Sequence, residues 1–385
     1  MTGAGPQPYL RPDQPAQARY RRQAQRCSLS VSNSVHFTNN EVLIVTKEPS
    51  TGRSGEQPNT NSTKGRTWPL GRILTLLVVL VIATIGGLGA YWSRQPEPFD
   101  VNQIQIDGVD IEEALKTPGV ATVSSAITVA ETLLGKPGGY LSNDITPPGI
   151  LMDNMPNWEY GVLTELRDSV RSLRNDFSRS QTQSVENDLL KVADSNFNFD
   201  SHSYMLPSTE SQFRAGTNAL IEYRAALMSG TDQTARFFTR ADNLRAYLMV
   251  VEKRLGSYAQ RLSASVNDAE LTASFTQGGA QVLEATPWNE VDDIFYEARG
   301  YTWALMHMIQ AISVDFESVL RGKNAMVSVE QILRDLRGAA MRKWSPMVLN
   351  GHGYGLLANH SLVMASYISR ANAAIIDLRV LLETG

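Results

Sequence analysis

The chain has 385 residues, 42% of them apolar, which is enough for one large folded domain or two ordinary ones. Its formal net charge of -4 averages two parts of opposite sign: residues 1–72 hold ten Lys or Arg against Asp13, Glu41, Glu48 and Glu56, and 25 basic and 35 acidic residues follow. The acidic remainder argues against nucleic acid as a partner. The only cysteine, Cys27, lies in the basic part, so thiol nucleophiles, disulfides and cysteine-ligated metals are excluded beyond it.

Residues 1–68 are rich in Gln, Pro, Ser, Asn and Thr and are expected to be a disordered, basic cytoplasmic tail. Their cluster "RYRRQAQR" is read as a solvated tail before a lipid-binding or nucleic-acid-binding one. One piece, "VHFTNNEVLIVT", has the pattern of a short hairpin, which is marginal alone in water.

Next comes "ILTLLVVLVIATIGGLGAYW", which begins at Ile73, ends at Trp92 and contains no charge. It is long enough to cross a hydrocarbon core of about 30 Å as a helix, and membrane lipids are its expected partner. Lys64, Arg66 and Arg72 precede it, and Glu97, Asp100, Asp107 and Asp110 follow. The positive-inside rule therefore puts the N-terminus in the cytoplasm and the rest outside, in the periplasm if the cell is Gram-negative. An uncleaved signal anchor over residues 70–93 is preferred to a cleaved signal peptide, because the apolar run is long and the small residues expected before a cleavage point are interrupted by Leu88. Ala83 with Gly87, and Gly86 with Ala90, permit a close helix homodimer without indicating one.

Residues 94–109 read as an extended linker, and 110–385 as one all-α domain of antiparallel helical bundles. "IEEALKTPG" predicts a short helix, and residues 120–134 a longer one stopped by Gly135 and Pro137. A glycine- and proline-rich loop follows, "GGYLSNDITPPGILMDNMPNWEYG". Behind it Val162, Leu166, Val170, Leu173 and Phe177 lay one apolar stripe on a helix whose exposed face would carry Arg167, Asp168, Arg171 and Arg174. Further helices are expected over 184–193, over 209–228 behind a Thr209/Gln212 capping box, and over 231–266 with Phe237 and Phe238 inside it. After "TQGGAQ", Thr286 as cap and Pro287 as first residue should open the longest helix, with Gly300 as a bend. Helices over 327–344 and 362–382 flank a third loop, "SPMVLNGHGYGLLANHS".

Chemistry is sparse in this pattern. His307 between Met306 and Met308 invites a copper reading, but neighbouring helical residues diverge by about 100°, so a buried, hydrogen-bonded histidine is expected. His352 and His360 share a glycine-rich loop without a carboxylate motif, so no metal is assigned there. Asp293 and Glu297 share a helix face, as a cell-wall hydrolase would require, yet acids also suit a helix start. No catalytic or cofactor motif is found, so an enzyme is not expected.

The segments "GYLSNDITPPGILMDNMPNWEYGVL", "NGHGYGLLANHSLVMASYISRANAAIIDL" and "YWSRQPEPF" resemble an uncharacterised family of proteobacterial single-pass inner-membrane proteins, catalogued as a domain of unknown function. The resemblance covers residues 70–385 and implies a Gram-negative inner membrane, but it brings no activity, cofactor or catalytic residue. Residues 1–65 depart from the family's short basic tail, which points to a translation start further along the chain. The expected role is a noncatalytic cell-envelope scaffold or interaction protein with an envelope protein as partner; a ligand-sensing domain and a wall hydrolase are the alternatives. The expected contact surface lies on two polar loops, at Tyr140, Asn143, Asp144, Asp153, Asn154 and Trp158 and at Asn350, His352 and His360. Tyr140 and Trp158 are expected to pin their loop to the bundle.

Overall fold

A computed structural model describes residues 70–385 other than 107, 181–184, 231, 265–285, 342, 344, 346, 352–356 and 385. The tail, Cys27, the hairpin pattern, "TQGGAQ" and His352 lie outside the described residues. Among the described residues only helices form, with isolated bridges at Ile106–Val109 and Asn350–Asn359. In chain order the helices are α1 (Leu70–Trp92), α2 (Ile111–Ala114), α3 (Val120–Gly135), α4 (Asn154–Ser172) and α5 (Asp188–Phe197). They continue as α6 (Thr209–Ser229), α7 (Ala241–Ser263), α8 (Val291–Asp315), α9 (Glu317–Gly322), α10 (Met326–Ala339) and α11 (His360–Thr384).

The core is built around α8, whose length is mostly buried and which packs chiefly on α4, α3 and α10. Packing is antiparallel where contacts run in opposite order. Arg245 pairs with Glu383 and Arg379 with Glu252 between α7 and α11, and Arg370 pairs with Asp335 between α11 and α10. α4 and α8, separated by more than a hundred residues, run parallel. Asn157 meets Asp293 near their starts, and Phe177, just past α4, meets Phe316 at their ends.

The closest approach of α4 to α8 depends on two glycines. A Cβ on Gly300 would lie 1.9 Å from the Trp158 carbonyl oxygen, and one on Gly161 would lie 2.0 Å from that of Glu297. Gly300 therefore lets two backbones touch inside an uninterrupted helix, rather than marking the expected bend.

Several local expectations are corrected by partners distant in sequence. Asp168 is buried and takes Arg254 at 2.7 Å, so it is not on an exposed face. Arg167 reaches the carbonyls of Phe197 and Phe199, and Arg174 pairs with Glu186 and Asp194; of the four residues only Arg171 is exposed. Phe237 and Phe238 precede α7 instead of lying in it, because the Phe238 N–H donates to the Phe177 carbonyl and Phe237 packs between Phe177 and Phe316. Ser208 caps α6, since the Thr209 hydroxyl is drawn away to the Asp200 and Ser203 carbonyls. α8 begins at Val291 rather than Pro287, and α5 runs on to Phe197, whose ring is buried against Phe213 and Gly216.

Between α4, α7 and α8 lies a buried polar cluster. The Glu165 carboxyl accepts from the Tyr247 hydroxyl at 2.6 Å and from Ser169 at 2.8 Å, and burial pushes its pKa up to about 7.

Candidate functional site

Gly71–Trp92 of α1 is long and apolar enough to cross a membrane, and most of it is exposed; its end, at Gly89 and Trp92, is partly covered, with Trp92 packed against the core. Where it ends, the chain is seated on the domain. The Trp92 ring fills the space above Gly138, where a Cβ would come within 2.7 Å of it, and Gly89 faces the Pro148 side chain. Gly138 holds φ +89, a conformation that suits glycine and leaves no side chain in the way.

The next residues run along α8 instead of forming a free linker. Gln95 accepts from the Arg299 Nε at 2.5 Å. The Phe99 N–H donates to His307 Nε2 at 3.0 Å, and the two rings stack at 3.9 Å. His307 Nδ1–H in turn donates to the Trp303 carbonyl at 2.7 Å. Both ring nitrogens are thus used and the tautomer is set. Burial pushes the imidazole pKa down to about 4, so it stays neutral. His307 is a buried clamp, as its helical neighbours implied. Asp100 then caps a short turn that buries Val101.

The loop after α3 is held by a buried ion pair that sequence reasoning missed. Glu159 accepts from the Leu141 N–H at 2.8 Å, the Ser142 N–H at 2.9 Å and the Ser142 hydroxyl at 2.5 Å. Its carboxylate also meets Lys136 Nζ at 2.5 Å, with both side chains fully buried. Lys136 further donates to the Gly139 carbonyl at 2.5 Å, closing the turn. Burial raises the Glu159 pKa, and the lysine and the donated hydrogen bonds oppose that shift. A charged residue inside the Gly- and Pro-rich turn "GKPGG" was the available signal.

The expected contact residues separate by burial. Tyr140 sits in the interior edge-on to Phe213, Trp158 lies against Trp303, and Asn143 is buried while donating to the Ser203 carbonyl and to Glu210. These three pin the loop; Tyr140 and Asn143 are 3% and 4% exposed and Trp158 1%, so none stands on the outer surface where contact was expected. Asp144 is half-buried, and burial followed by Glu210 raises its pKa. Asp153 is exposed and caps α4 by accepting from the Asn154 N–H; Pro156 falls within the first turn, where its missing donor costs no helical bond. In the other loop, exposed Asn350 accepts from Asn359, and half-buried His360 accepts from the Leu349 N–H.

A cavity of about 930 Å³ opens at the root of α1, and its rim includes Ala90 and Ser93. Its apolar wall is made by Met155, Trp158, Trp303 and Met306. Arg94, Arg299, Arg337 and Lys343 line it against a single carboxylate, Glu97, so it is basic in an otherwise acidic domain. Arg299 is buried there, and Lys343 lies over the Tyr296 ring. Such a lining suits an anionic, partly apolar molecule. The carboxylate pair weighed for hydrolysis is engaged elsewhere. Asp293 accepts from Asn157 at 2.6 Å, and Glu297 accepts from Arg261 and Tyr258. Among the described residues no group of three or more His, Cys, Asp or Glu is placed to hold a metal ion.

An apolar helix seated at its end on an all-α domain, with a basic cavity at the junction, defines the class: a helical domain on a single apolar stem. The chain belongs to the family described as "Uncharacterized protein conserved in bacteria (DUF2333)", whose model matches residues 61–385. No curated protein and no solved structure matches it.

Proposed function

We propose that this protein is a noncatalytic interaction protein of the bacterial envelope, anchored in the inner membrane by α1, with its N-terminal side cytoplasmic and its helical domain periplasmic. The observation that supports this reading is the seated exit of α1. Trp92 on Gly138 and Phe99 on His307 hold the domain at a set distance from the end of the span. A domain joined by a free linker would sweep a volume; one clamped in this way presents the same face beside the bilayer. Photocrosslinking from Asn154 and Asn350 in intact cells should capture a distinct envelope protein in each preparation. A failure to capture any, with the protein correctly inserted, refutes the scaffold reading.

The cavity favours a second reading, a ligand-sensing domain for an anionic molecule. Inorganic phosphate and glycerol phosphate should then raise the Tm of the full chain, and Arg299→Gln should abolish the rise. No shift with either compound counts against it.

A further inference from the structure

We propose that the loop between α3 and α4 is a membrane-inserting element, which places Ile145, Ile150 and Leu151 in the outer leaflet of the bilayer that α1 crosses. This inference rests on the reading of α1 as a membrane span. The depth follows from one contact. Pro148 lies against Gly89, where an added Cβ would come within 3.5 Å of the Pro148 Cβ, and Gly89 lies three residues inside the end of α1. At a helical rise of about 1.5 Å per residue that is about 4.5 Å below Trp92, at the boundary of headgroups and acyl chains. A loop that touches the helix there cannot stand clear of the lipid.

The residues beside Pro148 match that position. Ile145, Ile150 and Leu151 are 57%, 58% and 72% exposed, although the same loop buries Tyr140 and Leu141 in the core. The loop therefore divides its apolar residues between the domain interior and a face left exposed among the described residues. Through Pro148 the loop adjoins α1, whose exposed apolar residues near that point include Leu88 and Tyr91. Asn143 ties the loop to a second one, where Met205 and Leu206 are also exposed and Leu206 holds φ +64. Large side chains rarely adopt that conformation. The backbone under the loop is rigid, since Glu159 and Lys136 fix Leu141, Ser142 and Gly139. The chemistry of the surface is that of an interfacial anchor: exposed aliphatic side chains in the loop, with exposed charges at Asp153, where the loop ends, and at Arg94, just past α1.

Single nitroxide labels on a Cys27→Ser background test the proposal in the full chain reconstituted into vesicles of phosphatidylethanolamine and phosphatidylglycerol. Labels would be placed by Ile82→Cys in the middle of α1, Ile145→Cys and Leu151→Cys in the loop, and Val380→Cys on exposed α11. Collision with dissolved oxygen relative to a water-soluble nickel complex reads their depth. The expected result is a lipid-phase ratio at Ile82, several-fold higher ratios at Ile145 and Leu151 than at Val380, and an aqueous ratio at Val380. Lipid-phase values at Ile82 with aqueous values at Ile145 and Leu151 overturn the proposal and leave the span intact. An aqueous value at Ile82 overturns the span itself, and the proposal with it.

Discussion

Two helix glycines with the same local chemistry should respond to alanine in opposite directions. Gly300 is interior to α8, and its added Cβ would lie 1.9 Å from the Trp158 carbonyl oxygen, 2.8 Å from the carbonyl carbon and 3.1 Å from the Trp158 Cα. These are backbone atoms of α4, so no side chain can swing aside. Restoring an ordinary carbon–oxygen contact of about 3.3 Å requires the helices to part by more than about 1 Å. That separation loosens Trp158 against Trp303 and the reciprocal contact at Gly161. Overpacking of this kind costs about 1–3 kcal/mol or more, and the lost contacts outweigh the roughly 1 kcal/mol that alanine adds to a helix. We expect Gly300→Ala to lose about 3 kcal/mol, which lowers the Tm of a domain this size by about 6–12 °C. Gly256 is interior to α7, and a Cβ there meets only Asn372 Nδ2 at an ordinary 3.7 Å. Gly256→Ala should gain about 0.5–1 kcal/mol, raising Tm by about 1–4 °C. Thermal unfolding of the full chain in detergent, followed by near-ultraviolet circular dichroism, compares the two. A Tm for Gly300→Ala equal to or above that of the wild type would refute the backbone-contact argument.

Lys136→Met leaves the Glu159 carboxylate buried without its cation and should cost about 3–5 kcal/mol in denaturant melts, while adding Glu159→Gln should recover part of the loss. The Glu165 carboxyl, raised from 4.5 to about 7 by burial, keeps its proton when folded where the unfolded chain has lost it, so its contribution falls as pH rises through that window. Relative to Glu165→Gln, the wild type should therefore lose about 3 kcal/mol between pH 4.5 and 7, measured as the difference between two pH-dependent melts. His307, lowered from 6.5 to about 4, has the opposite sign. Its contribution is complete above 6.5 and is lost as pH falls toward 4, and its imidazole NMR signals should not titrate between pH 5 and 7. Asp144→Ala with Asp153→Ala should leave the fold intact and cost about 1 kcal/mol, chiefly from the α4 cap; an unfolded circular dichroism spectrum would contradict this.

Helices whose apolar residues recur along one face were legible because that periodicity is local. α3, α4, α6 and α11 lie where their patterns put them. His307 was legible as a buried residue for the same reason. Helix starts were less so, since a cap is decided by which backbone donor its side chain finds. Ser208 won over Thr209 because the Asp200 and Ser203 carbonyls take the Thr209 hydroxyl. Charged residues misled most. Asp168 read as surface because its cation, Arg254, is 86 positions away along the chain, and the Glu159–Lys136 pair, 23 positions apart, was missed for the same reason.

The sequence by itself determined the all-α class, the apolar span and the opposite charges on either side of it, because composition and periodicity are properties of contiguous residues. Tertiary structure alone decided that α4 and α8 run parallel across two glycines, that Phe99 and His307 clamp the exit of α1, and which loop residues face outward. Those facts depend on contacts between segments far apart in the chain. Close packing selects among them only when the whole core is assembled.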